Sequence, residues 1–115
     1  QDPVRYSLGW KAGNTVYLAG AIGSNDDGSI SPDFKTQARR AWQKLEIVMK
    51  EAGGSLQNIV KTTVFITDMR YQQAHGEVRA EVLPGSSPPA STLIQCVALA
   101  QPGALIEIEA VAILD

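Results

Sequence analysis

Two carboxylates set two residues apart, Glu107 and Glu109, are the side chains in this sequence best suited to chemistry. They fall in an alternating stretch, residues 104–114, that reads as a strand, so both project from one face about 6.6–6.8 Å apart. Leu105, Val111 and Ile113 share that face. A carboxylate among such neighbours loses solvation, which raises its pKa and suits it to take up and return a proton. The same pattern also describes a strand face open to water, and spacing alone leaves both readings standing.

The other reactive residue types have plainer roles. Cys96 sits in the apolar run 92–100 and reads as a small hydrophobe inside a strand. His75 lies near the apolar stripe of a second helix, with no Ser or Cys partner assignable to it, and reads as helix surface or partly packed. Lys35, Arg39, Arg40 and Lys44 form a basic cluster on the polar side of a first helix. A solvated face is the simple reading there and a phosphate site the sharper one. Trp10 and Trp42 read as strand and core packing. One histidine and one cysteine cannot supply the ligand set of a zinc site, so no protein-held metal is expected. No P-loop, dinucleotide glycine pattern or nucleophile elbow appears.

The elements that must position these residues follow from periodicity. Residues 5–11 and 15–22 flank Ala12-Gly13-Asn14 and read as a hairpin. Ser31-Pro32-Asp33 offers a cap with a proline in the first helical turn. Phe34, Ala38, Ala41, Trp42, Leu45, Val48, Met49 and Ala52 then trace one helical face, which Gly53-Gly54 terminates. Residues 59–67 are β-branched and read as a strand, 70–83 as a shorter helix, and 86–89 as a loop. The strands 92–100 and 104–114 complete a β-β-α-β-α-β-β order, an α+β fold with one sheet packed on two helices. Residues 16–22 and 92–100 are apolar on both faces, yet two helices can cover only one. The second face therefore predicts a homo-oligomer.

Composition sets the outer limits. The 115 residues, 44% hydrophobic and 19% charged, suit a single globular domain spanning 1–115. A net charge of −2 provides no electrostatic footprint for nucleic acid or an anionic membrane. No apolar run approaches the ~20 residues of a membrane span, and no signal-peptide pattern is present. A lone cysteine fits a reducing compartment, and a cytoplasmic location is expected.

Several stretches together carry a resemblance. Tyr6-Ser7 precedes Gly13-Asn14 and the strand VYLAGAI (16–22); VKTTVFITDM (60–69), PAST (89–92) and IEIEAVA (106–112) follow. This pattern resembles the Rid (reactive intermediate deaminase, YjgF) family across nearly the whole chain. The resemblance implies a chorismate-mutase-like fold assembled as a homotrimer, its sheets forming a central barrel with ligand clefts between subunits. It implies hydrolysis of serine- or threonine-derived enamines and imines to 2-keto acids and ammonia, without metal or organic cofactor.

Carried over by position, Tyr6 matches the family's cleft tyrosine, Gly20 its cleft glycine and Glu107 the carboxylate that positions water. The chain departs from the pattern elsewhere. Ser91 stands where the archetype has an arginine that clamps a substrate carboxylate, Ala19 where serine is frequent, and Leu93 where cysteine is frequent. An asparagine of the family falls near Gly76, and Thr92 completes the pocket edge. Losing a charge-assisted bond costs on the order of 1.5–3 kcal/mol. The resemblance thus implies a divergent subgroup whose cleft prefers a less anionic ligand. Hydrolytic deamination of a small enamine or imine is the leading expectation, with Glu107 catalytic. The alternative is a trimer that binds a metabolite without turning it over. Ribonuclease or translation inhibition is disfavoured by the acidic charge and the lack of a histidine pair.

Overall fold

The computed structural model describes residues 5–85 and 87–115; Ser86, the first residue of the expected 86–89 loop, lies outside them. Strands β1 (Gly9–Ala12) and β2 (Thr15–Ile22) form the expected antiparallel hairpin around Gly13-Asn14. Helix α1 (Phe34–Glu51) begins where the Asp33 carboxylate accepts the Thr36 N–H at 2.9 Å. Asp33 is itself the cap, so Pro32 precedes the helix instead of occupying its first turn. At the far end Gly53 takes φ 92°, and the N–H groups of Gly53 and Gly54 close back on the carbonyls of Lys50 and Met49. That left-handed closure satisfies carbonyls the helix would otherwise leave open.

A 3-10 turn (Leu56–Asn58) leads into β3 (Ile59–Ile66). A second such turn (Met69–Tyr71), capped by Asp68, takes the first residues of the expected second helix, so α2 runs only Gln72–Val82. Strand β4 (Ala90–Gln95) also stops short of the expected 92–100. Among the described residues it is an edge strand whose sole partner, β3, ends at Ile66, so none of them remains for further residues to pair with. Cys96 therefore lies just past the strand, its N–H on the Ile66 carbonyl at 2.9 Å, and Val97 is fully exposed. Strand β5 (Ile106–Ile113) closes the order.

The sheet runs β1-β2-β5-β3-β4. All pairings are antiparallel except β3–β4, which α2 connects as a crossover. One face, with Val16, Leu18, Val64, Ile66, Ile106 and Ile108, buries against Trp42, Leu45 and Met49 of α1. Large side chains buried this way contribute about 1.5–3 kcal/mol each. The ion pairs Lys35–Glu77 and Arg39–Glu81 join α1 to α2 at the surface, where such pairs are worth about 0–1 kcal/mol.

On the other face Trp10, Tyr17, Ile94 and Ile113 remain 41–66% exposed. The two-faced reading thus holds for β2, but in 92–100 only for Leu93 and Ile94, because the later residues leave the sheet. Trp10 is not packed within the chain: it pairs with Tyr17 on this open face. A register shift between Leu18 and Ala21 inserts a bulge into β2.

His75 is buried to 2% exposure in α2, neither surface nor partly packed, and neither ring nitrogen has a hydrogen-bond partner among the described residues. Burial, reinforced by Arg79, lowers its pKa from 6.5 to about 4. The unfolded chain then binds more protons than the folded one between those values, so stability falls as pH drops through this window. The expected contribution is on the order of 3 kcal/mol. Urea midpoints of wild type and His75→Leu at pH 7 and pH 4.5 check this. The variant should keep or gain stability at neutral pH and show a shallower acid loss; equal acid loss would refute the assignment.

Candidate functional site

Glu107 is the second residue of β5, between Ile22 of β2 and Phe65 of β3. Its neighbours Ile106 and Ile108 point into the helix-side core, so alternation sends the Glu107 carboxylate to the open face. Partial burial, with the charge of Glu109 adding to it, raises its pKa above the usual carboxylate value. Glu109, opposite Thr63, is exposed. The two glutamates share a face, as their spacing predicts, but not an environment.

The bulge in β2 brings Gly20 over Glu107. A Cβ at position 20 would lie 2.7 Å from the Glu107 Cδ, so only glycine lets the carboxylate rest against the β2 backbone. Strand β1 reaches no further along β2 than the Ala19 N–H bond to the Leu8 carbonyl at 3.0 Å, and beyond it no backbone pairing covers the β2 edge among the described residues. There a cleft of about 600 Å³ opens between Tyr6 on the N-terminal arm, Ala19 and Gly20 on β2, and Arg40 and Lys44 on α1. Tyr6, Ala19 and Gly20 thus line one cleft, and Glu107 abuts Gly20 without lining it.

Ser91, Thr92 and Leu93 do not join them. They lie on β4, at the opposite sheet edge from the β1–β2 hairpin and roughly 14 Å across the strands from β2. Ser91 and Leu93 also face the helix side: the Thr62 hydroxyl donates to Ser91 Oγ at 3.0 Å, and Leu93 packs against the core. Thr92 faces the open side and accepts from Lys61 Nζ at 2.6 Å. Within a single chain Ser91 and Glu107 project from opposite faces of the sheet.

The basic cluster of α1 divides in two. Lys35 and Arg39 reach the acids of α2, whereas Arg40 and Lys44 turn to the cleft. There Arg40 pairs with Asp26, and Lys44 donates to Ser24 Oγ at 2.8 Å. Composition marks Ser24 and Asp26 only as parts of a polar loop, residues 24–29, with turn chemistry. A signal was present, since neither Arg40 nor Lys44 has an acid three or four positions away, and Lys44 has Ala41, Ile47 and Val48 there instead. Among the described residues no three His, Cys, Asp or Glu side chains group as a metal site, and no helix is long and apolar enough to cross a membrane.

A five-stranded sheet on two helices, with a half-buried glutamate beneath a glycine on its open face, defines the class. The family model described as Endoribonuclease L-PSP matches residues 1–114, and the chain belongs to this family, the Rid/YjgF proteins. A RutC family protein of Pyrococcus abyssi is 33% identical over 109 residues, covering 93% of this chain and 84% of the relative. Among solved structures, RidA from the Antarctic bacterium Psychrobacter is 31% identical with a TM-score of 0.91, over 99% of this chain and 92% of that one. A Rid family protein of Yersinia pestis, described as of unknown function, is 30% identical with a TM-score of 0.92, over 98% of this chain and 90% of its own.

Proposed function

We propose that this protein hydrolyses a small imine or enamine to a carbonyl compound and ammonia, with Glu107 as the proton acceptor. The supporting observation is the carboxylate itself, partly desolvated, raised in pKa and seated against Gly20 beside the cleft. In this mechanism ionised Glu107 takes a proton from water as the oxygen adds to the imine carbon. The carbon–nitrogen double bond becomes single as Glu107 passes that proton to the nitrogen, giving a neutral carbinolamine; an enamine reacts this way after tautomerising to its imine. Glu107 then takes the hydroxyl proton and delivers it to the nitrogen, so the adduct expels ammonia, forms the carbonyl group and leaves Glu107 ionised again. Net, one water enters and one ammonia leaves, so neither metal nor organic cofactor is required. Tyr6, Ala19 and Gly20 shape the near wall.

Ser91, Thr92 and Leu93 enter the same site only if another copy brings its β4 edge to this cleft, which the homotrimer proposed here would do. The open face with Trp10, Tyr17, Ile94 and Ile113 supports that assembly. A cytoplasmic location suits the single cysteine. The nuclease named in the family description finds no support in this site, since the sole histidine is buried in α2.

The test is ammonia release from small imines generated in situ by an amino-acid oxidase, with light scattering on the same preparation. Acceleration over spontaneous hydrolysis by a species of about three chain masses is expected. Binding of small carbonyl compounds without acceleration would favour the metabolite-binding trimer instead, and a stable monomer would sink the shared-cleft reading.

A further inference from the structure

The cationic wall of the cleft lies outside the set of residues that family membership points to. We propose that Lys44, held by Ser24 and backed by Arg40, is the anion-recognition residue of this cleft, binding the carboxylate of a small carbonyl or imine compound. That the bound compound then reacts at Glu107 rests on the function proposed above; the anion site itself does not.

The hydrogen-bond inventory separates Lys44 from the other cations of α1. Lys35, Arg39 and Arg40 each meet a carboxylate at 2.5–3.0 Å. Lys44 meets none among the described residues; its ammonium has the Ser24 hydroxyl as partner and two donors left over. Arg40 is committed on every side: Nε to the Ser24 carbonyl, one terminal nitrogen to Gln43 and the other to Asp26. It therefore anchors the Ser24 segment and supplies charge rather than a free fork. Asp26 offsets one of the two cations, leaving this wall with a net positive charge. Burial and the neighbouring Arg40 hold the Lys44 pKa below its usual value, a cost that a bound anion relieves.

The rest of the cleft fits such a ligand. Its volume of about 600 Å³ accommodates a small molecule, and Leu8, Ile47 and Val48 offer apolar surface for a short side chain. Gly20 lines this space and also abuts Glu107, so the glycine stands between the cationic wall and the carboxylate, which does not itself line the cleft. The preference for a less anionic ligand, inferred from Ser91, considered only the β4 edge; here the positive charge comes from a different element.

Calorimetric titration with pyruvate and with methyl pyruvate tests the proposal without requiring turnover. Wild type should bind pyruvate at least tenfold more tightly than the ester, and Lys44→Gln should abolish that preference. Lys44→Arg should retain part of it. Lys44→Met, which keeps the aliphatic stem, guards against lost packing, and circular dichroism verifies folding. Where an anionic imine is turned over, the loss should appear in KM rather than kcat. A wild type without the preference, or Lys44→Gln and Lys44→Met that retain it, overturns the proposal. Lys44-dependent pyruvate binding without hydrolysis would fail the deaminase reading and leave the anion site standing. Hydrolysis with a carboxylate preference indifferent to Lys44 would do the reverse.

Discussion

Glu107→Gln should lower imine hydrolysis by about 10²–10⁴-fold, the usual scale for removing a general base. The amide preserves shape and hydrogen-bonding capacity but cannot accept the proton from water. Glu109→Gln should change the rate far less, because Glu109 is exposed and acts on the site only through its charge. That charge helps raise the Glu107 pKa, so its removal should move the acid limb of the pH–rate profile towards lower pH. The sign follows from the role: the base works ionised, activity falls as pH drops through its pKa, and a lower pKa postpones the fall. Gly20→Ala offers a second approach, since its Cβ would meet the carboxylate at 2.7 Å and displace it while every catalytic atom remains present. Ammonia release for the three variants, with assembly checked, decides the matter. Equal rates for Glu107→Gln and wild type would remove Glu107 from the mechanism.

The second large effect is structural and centres on Gln37, a fully buried polar residue of α1. Its amide nitrogen donates to the carbonyls of Ser31 and Gly103 at 2.6 and 2.9 Å, and its amide oxygen accepts the Leu105 N–H at 2.9 Å. One side chain thus ties the approach to α1 to the segment that enters β5. Gln37→Leu fills similar space but strands two carbonyls and one N–H. At ~1–3 kcal/mol for each of the three unsatisfied groups, the expected loss is about 3–9 kcal/mol. Domains of this size hold about 5–15 kcal/mol in total, so urea unfolding should shift to a much lower midpoint. A change below about 1 kcal/mol would mean that water replaces the amide and that the three bonds are not cooperative.

Periodic information in the chain was reliable where local rules suffice. The α1 stripe from Phe34 to Met49 and the alternation that puts Glu107 and Glu109 on one face both match the structure, because each depends only on side-chain period. The ends of elements were harder. Apolar content carries no information about where a partner strand ends, so residues 96–100 looked like more of β4 although β3 offers them nothing. The β2 bulge is equally silent in sequence: strict alternation would put Ala21 opposite Leu18, whereas the shift returns Ala21 to the core side, opposite Ile108. The separation of Ser91 from Glu107 depends on strand order and parity together, and neither is encoded near either residue. His75 illustrates a third limit, since a polar residue beside an apolar stripe gives no sign of how closely the neighbouring elements will pack around it.

The place of β5 has a consequence for how the molecule comes into being. The last strand in sequence is the middle one in the sheet, inserted between β2 and β3 and hydrogen-bonded to both. Until residues 106–113 are available during synthesis, β2 and β3 each present an unpaired edge with a strongly apolar face. The contacts that finish the sheet join residues nearly a whole chain apart, as Thr15 with Ile113 does, and closures of that length are slow. The nascent chain therefore waits in an adhesive state, and the segment that carries the candidate base is also the one that ends the wait.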